Sequence, residues 1–225
     1  MQARGADIKR ESPPAGPDQR RLVLASRSPR RRALLAEHGF AHELALSEVD
    51  DGVLTRGSVD AASWVVALAW LKACAGLRSF GGDAARAIVL GSDTLCVTRR
   101  DGRETLLGQP ANAAAARATL DTLNDSSHEV LTGVALMDAE TGERRLFVDR
   151  AVVSWGRVSD DELDAYVRSE QWRGKAGGYN LSERLEAGWP IRFEGDPASI
   201  MGLPMVRLTP MLVELGVARG APSAA

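Results

Sequence analysis

The chain has 225 residues and a mass of 24.1 kDa, enough to bury a core of its own, so a small disulfide-stapled scaffold is excluded. Its 28 Lys and Arg residues nearly balance 30 Asp and Glu residues, giving a net charge of -2. This balance provides no global attraction to nucleic acid or to an anionic membrane, so any affinity for phosphate must come from a local site. Cys74 and Cys96 stand in apolar segments without metal-binding spacing, and we expect both to be reduced thiols in the cytoplasm.

Strand-like and helix-like runs alternate along the chain, which is typical of an α/β fold. The charged, proline-containing residues 1–20 predict a disordered tail, and residues 218–225 a loose one, so one domain is expected over residues 21–217. In chain order we predict a strand over 22–26, a helix beginning at Pro29, a strand over 42–46, a helix over 61–77, a strand over 87–97 and a helix over 113–123. A hairpin of strands 129–137 and 145–155 follows, then a helix capped by Ser159 and a last helix from near Pro204 to Gly216.

The turn after the first strand has a composition suited to phosphate binding. Ser28 is placed to cap a helix whose first residue is Pro29, so Arg30, Arg31 and Arg32 fall in the first helical turn. Cations there oppose the helix dipole unless an anion binds. A phosphate would satisfy the free N–H groups, the dipole and the guanidinium groups together. The alternative is that the arginines only point into solvent.

Carboxylates and one lysine accompany these arginines. Asp93 is predicted at the end of a buried strand, where ligands bind in open α/β sheets, and Asp50 and Asp51 follow the strand over 42–46. Lys72 lies on the buried stripe of the apolar helix, which is too short to span a membrane, so its ammonium is expected at a cleft or beside an acid. Acids without Cys or His suit Mg²⁺ or Mn²⁺ bound alongside substrate phosphates. Without a phosphate-binding Gly-x-x-x-x-Gly-Lys loop, metal-assisted hydrolysis is the simplest reaction class.

Seven short motifs between Leu22 and Gly216 have the residues and order of one protein family. They are Ala25-Ser-Arg-Ser-Pro-Arg-Arg31, Val49-Asp-Asp51, Leu68-Ala-Trp-Leu-Lys-Ala73, Leu90-Gly-Ser-Asp-Thr94, His128-Glu-Val-Leu-Thr-Gly-Val134, Lys175-Ala-Gly-Gly-Tyr179 and Gly202-Leu-Pro204. Together they resemble the Maf family of nucleoside triphosphate pyrophosphatases. The resemblance implies an elongated mixed-sheet α/β fold of two lobes with a central substrate cleft, and hydrolysis of a nucleoside triphosphate to the monophosphate and pyrophosphate with Mg²⁺ or Mn²⁺.

The resemblance also implies roles for particular residues. Asp93 matches the catalytic aspartate, the proton acceptor for the attacking water, and together with Asp50 and Asp51 it is expected to hold the metal ion. The expected substrate-binding residues are Ser26, Ser28, Arg30, Arg31, Lys72, Thr94, Lys175 and Ser182. The expected partner is the nucleoside triphosphate, with no nucleic acid or membrane, and the resemblance makes a homodimer plausible.

Three positions depart from the usual family pattern. Asp51 stands where the family commonly has Glu, so its carboxylate reaches one methylene less far. Gln109 stands in place of a lysine, which removes one cation from the cleft. Ser182 stands where the branch acting on dTTP and UTP often has Gln and the branch acting on 7-methyl-GTP has Glu.

The base preference is divided between these two branches. Arg30 and Thr94 resemble the dTTP/UTP branch, whereas residues 195–202 resemble the methylated-nucleotide branch. We predict dTTP or UTP as substrate, and the alternatives are 7-methyl-GTP, another modified nucleotide, or a non-catalytic nucleotide-binding regulator that the neutral Gln109 would allow. His128 is interpreted as a hydrogen-bonding scaffold residue rather than as a base.

Overall fold

The computed structural model describes residues 19–45, 49, 54–80 and 84–221. The strands are β1 Arg21–Leu24, β2 Glu43–Leu44, β3 Ala87–Arg100, β4 Arg103–Leu107, β5 Ser127–Asp138, β6 Arg144–Trp155 and β7 Ile191–Glu194. The helices are α1 Pro29–Glu37, α2 Ala61–Ser79, α3 Ala113–Leu123, α4 Asp160–Arg168, α5 Leu181–Glu186, α6 Pro197–Ile200 and α7 Met205–Glu214. The strands form one mixed sheet in the order β2-β1-β3-β5-β6-β7, with β4 paired to β3, which confirms the predicted α/β class.

Residues of alternating strand positions build the core on opposite faces of this sheet. On one face Leu24 and Leu90 pack with α1 and α7, and on the other Val23 and Val89 pack with α2. Another apolar cluster forms farther along β3, β5 and β6, where α3, α4 and β7 pack. The three long strands therefore connect two packed regions, which correspond to the two predicted lobes.

β3 is longer than predicted, and this changes the setting of Asp93. The prediction that Asp93 lies at the end of its strand is wrong, because β3 continues to Arg100 and turns through residues 101–102 into β4. Its parallel neighbour β1 stops at Leu24, which pairs with Leu90. Asp93 therefore lies within a strand but just beyond the end of that strand's parallel partner, where the loop to α1 begins.

Close packing of α2 on the sheet positions Lys72. A Cβ atom on Gly91 would lie 2.2 Å from the carbonyl oxygen of Ala69 in α2, so only glycine allows the helix this near to β3. The expectation that this helix is too short for a membrane is wrong, because α2 extends to Ser79 and its 19 residues are long and apolar enough to cross one; buried core helices also pass this test. Here its Val65 and Leu68 face is buried, and Lys72 leaves the helix beside β3.

Some residues of the predicted tails are part of the folded domain. The backbone N–H of Arg20 donates to the Gly216 carbonyl at 2.8 Å, and its guanidinium binds the Asp138 carboxylate at 3.0 Å. Gly220 N–H donates to the Gly39 carbonyl at 2.8 Å. The remaining predicted tail, residues 1–18 and 222–225, lies outside the described residues.

Candidate active site

A cavity of about 550 Å³ opens between the β1–α1 loop and the middle of β3. Seven of the residues predicted from the sequence line it: Ser26, Ser28, Arg30, Arg31, Lys72, Asp93 and Thr94. Gln109, Arg173 and Asn180 also line the cavity, and apolar residues such as Val130 and Leu181 form one wall of it. The structure thus brings one group of predicted site residues together from three separate motifs.

The β1–α1 loop is held in a defined turn by its two serines. Ser28 is the N-cap of α1, and its hydroxyl accepts from Arg31 N at 3.5 Å. Ser28 N in turn donates to Ser26 Oγ at 3.1 Å. The predicted cap and the predicted first residue Pro29 are confirmed, so the arginines do begin the helix next to the cavity.

Arg31 joins this helix to the strand that carries Asp93. Its Nε donates to the Gly202 carbonyl at 3.0 Å, its Nη1 to the Ser92 carbonyl at 2.8 Å, and its Nη2 to Thr94 Oγ1 at 3.2 Å. Most of its five N–H groups are therefore used within the protein. Gly202 has φ +118°, and a Cβ there would lie 2.9 Å from Arg31 Nε, so glycine is required for this contact.

Lys72 and Asp93 form an ion pair in the cavity wall. Lys72 Nζ donates to Asp93 Oδ1 at 2.8 Å, and the two side chains are only 14% and 13% exposed. Water screens such a pair less than it screens a surface ion pair. The prediction that Lys72 would emerge beside an acid is confirmed, and the lysine fixes the direction of the carboxylate.

Arg30 is a partly dehydrated cation on the same wall. Burial lowers the pKa of its guanidinium below the ordinary value, while the negative charge of Glu183 partly opposes this shift. A cation that has lost part of its water shell is stabilised by an incoming anion. Arg30 is therefore suited to contact a phosphate group in the cavity.

Lys175 and Ser182 are predicted to bind substrate, but neither is among the residues that line the cavity. Lys175 precedes α5, and Ser182 is the second residue of that helix. The Lys175 ammonium forms an ion pair with the Glu183 carboxylate. Ser182 Oγ donates to Asn180 Oδ1 at 2.8 Å. Sequence reasoning missed Glu183 and Asn180, although Asn three residues before Glu is a spacing that favours a helix N-cap.

Asp93 is the one carboxylate among the described residues that line the cavity. No group of three His, Cys, Asp or Glu residues in the described part of the chain could hold a metal ion. The other predicted ligands, Asp50 and Asp51, lie outside the described residues. Mg²⁺ commonly uses one or two carboxylates and fills its shell with substrate phosphates and water, so the chemistry of Asp93 fits such an ion.

Tyr179, one of the residues that line the cavity, belongs to a buried aromatic cluster. His128 Nε2 and Tyr179 Oη are 2.8 Å apart, and Tyr179 packs edge-on against Trp155. Burial lowers the pKa of His128 to about 4, so the imidazole is neutral near pH 7 and bonds to Tyr179 as the scaffold role predicted. Cys96, a free thiol, also lines the cavity, and burial raises its pKa to about 12, which leaves it an apolar, unreactive group.

Comparison with known proteins agrees with the motifs. The family profile described as Maf-like protein matches residues 21–215. A protein of Moorella thermoacetica named dTTP/UTP pyrophosphatase is 38% identical over 88% of this chain and 96% of its own length. A protein of the same name from Hahella chejuensis is 38% identical over 89% of this chain and 95% of its own, and one from Salinibacter ruber is 39% identical over 83% and 87%. The chain belongs to the Maf family.

Proposed function

We propose that this protein hydrolyses dTTP or UTP to the nucleoside monophosphate and pyrophosphate. The observation that carries the proposal is a single cavity with a charged wall that contains the Lys72–Asp93 pair and an apolar wall that contains Tyr179. A nucleotide has the same division, because its phosphates are charged and its base is flat and largely apolar. The three relatives named dTTP/UTP pyrophosphatase, which align over most of their length, support this choice of substrate.

The geometry suggests how the residues divide the chemistry. Asp93 accepts a proton from a water molecule that attacks the α-phosphorus, and Lys72 keeps the carboxylate aimed into the cavity. The bond from the α-phosphorus to the oxygen that bridges to the β-phosphate breaks, and pyrophosphate leaves with that oxygen. Arg30 balances negative charge that develops on the phosphates.

A divalent cation, Mg²⁺ or Mn²⁺, belongs to the proposal. Asp93 would hold it together with phosphate oxygens of the substrate, and Asp50 and Asp51 are the further carboxylates that the sequence offers. Such an ion polarises phosphoryl oxygens and lowers the pKa of bound water.

A panel of nucleoside triphosphates tests the proposal. The purified protein is incubated with dTTP, UTP, CTP, ATP, GTP and 7-methyl-GTP in Mg²⁺ or Mn²⁺, and pyrophosphate is measured separately from orthophosphate. The highest kcat/KM is expected for dTTP or UTP. A preference for 7-methyl-GTP would reassign the substrate, saturable binding with intact nucleotide recovered would indicate a regulator, and failure to release pyrophosphate from any nucleotide would overturn the activity.

The cytoplasmic location and the homodimer also stay predictions. Fractionation of the source cells measures the location, and the protein is expected in the cytoplasmic fraction, which contains the nucleotides. Sedimentation of the purified chain measures the second, and a single species with the mass of one chain would contradict the homodimer.

A further inference from the structure

The two ends of the Asn180 side chain have different surroundings. Its Oδ1 accepts from Glu183 N at 3.2 Å, as the N-cap of α5, and from Ser182 Oγ at 2.8 Å. A backbone N–H can only donate, so the oxygen of the amide has to be the atom that faces α5. The orientation of the amide is thereby fixed, and Nδ2 points away from the helix.

Asn180 is one of the nearly buried residues that line the cavity. Asn180 is only 8% exposed, and it lines the cavity together with its chain neighbours Tyr179 and Leu181. None of the hydrogen bonds among the described residues uses Nδ2. Nδ2 is also absent from the fully buried polar atoms that lack a partner, so part of its surface is accessible. A nearly buried amide donor of this kind is stabilised by a partner that enters the cavity.

The part of the cavity around Asn180 suits a base better than a triphosphate. Tyr179 and Leu181 belong to the same apolar cluster as Cys96 and Val130, which pair across β3 and β5 and also line the cavity. A flat apolar ring is favoured on such a wall, while the charge of phosphate is not. A polar donor set in an apolar wall is the arrangement that gives specificity in ligand pockets.

We infer that Asn180 Nδ2 donates a hydrogen bond to an exocyclic oxygen of the base, and so selects nucleotides with a carbonyl at that position over those with an amino group. This inference rests on the proposed function, and it assigns the preference for uracil and thymine nucleotides to one residue. O4 of uracil accepts such a bond. The N4 amino group of cytosine is itself a donor, so CTP would leave Asn180 unpaired and lose affinity.

The substitution Asn180→Asp tests the inference without removing the cap of α5, because Asp caps helices as well as Asn does. It replaces the donor by an acceptor. The ratio of kcat/KM for UTP to that for CTP is expected to exceed one in the wild type and to fall by roughly tenfold in N180D. The added negative charge weakens both substrates alike, since they share one triphosphate, and cancels in the ratio.

Asn112→Asp is the matched control. Asn112 caps α3 through Ala115 N at 2.9 Å, is exposed and lies outside the cavity lining, so N112D should leave the ratio unchanged. If N180D keeps the wild-type ratio while the wild type does release pyrophosphate, the inference is wrong and the proposed function stands. If the wild type releases no pyrophosphate, competition binding of α,β-methylene UTP and CTP gives the same ratio, and equal affinities in wild type and N180D would overturn the inference.

Discussion

Arg31 holds the elements of the site together and also contributes a positive charge to it. Three of its nitrogens bind the carbonyls of Gly202 and Ser92 and the hydroxyl of Thr94, so the side chain holds α1, β3 and the loop before α7 together. A charge-assisted hydrogen bond in such a buried network is costly to break. We therefore expect disturbance of Arg31 to affect folding before it affects chemistry.

Gly202→Ala tests this contact. The new methyl group would meet Arg31 Nε at 2.9 Å on a backbone with φ +118°, so the free energy of unfolding in urea should fall by about 3 kcal/mol. Gly102→Ala is the control, since Gly102 also has a positive φ of +72° but no atom lies within 4 Å of its added Cβ. That variant should lose only about 1 kcal/mol. Equal losses in the two variants would mean that the Arg31 contact is not tight.

His128 should make stability depend on pH. Its pKa is about 4 in the folded protein and 6.5 in the unfolded chain, so the unfolded chain binds more protons between these values. Its contribution is therefore complete above pH 6.5 and is lost as pH falls toward 4, with a loss of roughly 2 kcal/mol between pH 7 and pH 5. His128→Gln keeps a hydrogen-bonding group for Tyr179 without titrating. Urea unfolding at the two pH values should show a smaller loss in H128Q, and an equal loss would contradict the shift.

Several site residues could be predicted because local chemistry fixes them. Ser28 before a proline identifies a cap, and Lys72 on an apolar helix face has to reach either a cleft or an acid. The position of Lys175 could not be predicted, because its partner Glu183 depends on how α5 folds back. For the same reason Ser182 was expected at the base, whereas its hydroxyl binds Asn180.

Among the elements, the contact between α2 and β3 matters most for the site. Lys72 and Asp93 come from these two elements, and their 2.8 Å ion pair requires the helix to lie close to the strand. Gly91 makes that approach possible, since its missing side chain would overlap the α2 backbone at Ala69.

Gly91→Ala should therefore reduce both stability and activity. The methyl group would lie 2.2 Å from the Ala69 carbonyl oxygen, so α2 must shift away from β3, and we expect a loss of about 3 kcal/mol in unfolding free energy. The folded fraction should also have a lower kcat, because Lys72 moves from Asp93. Gly108→Ala provides the comparison, as nothing lies within 4 Å of its added Cβ. A G91A protein with wild-type stability and kcat would contradict this role of the glycine.

Long, strongly patterned elements were predictable and short ones were not. The β5–β6 hairpin and the capping box at Ser159 follow from apolar alternation and from the Ser–Glu spacing, and both are confirmed. β4 was missed although Asp101 and Gly102 form a typical hairpin turn. α5 and α6 have six and four residues, too few for a helical period to be visible, and helices this short are not stable without tertiary packing.

At the scale of the whole molecule, charge is separated rather than absent. The net charge of -2 hides a cavity lined by four arginines and one lysine against a single described carboxylate, Asp93. Such a concentration of one sign of charge attracts a polyanion to one place on an otherwise balanced surface.

Substrate affinity should therefore weaken with salt. Raising NaCl from 50 to 500 mM should increase KM for UTP several-fold, because the Debye length falls from about 14 to about 4 Å and screens the cations at the cavity mouth. The change in kcat should be smaller, since the Lys72–Asp93 pair is largely buried. Steady-state kinetics at constant free Mg²⁺ measures both quantities, and a KM independent of salt would mean that the cavity charge does not guide binding.

The account as a whole depends on Asp93 as the group that activates water. The most direct measurement is the single-turnover rate of pyrophosphate release from UTP for wild type and Asp93→Asn, with Asp101→Asn in the exposed β3–β4 turn as control. We predict that D93N still binds α,β-methylene UTP but releases pyrophosphate at least about 100-fold more slowly, while D101N matches the wild type. Release by D93N at the wild-type rate would contradict the mechanism.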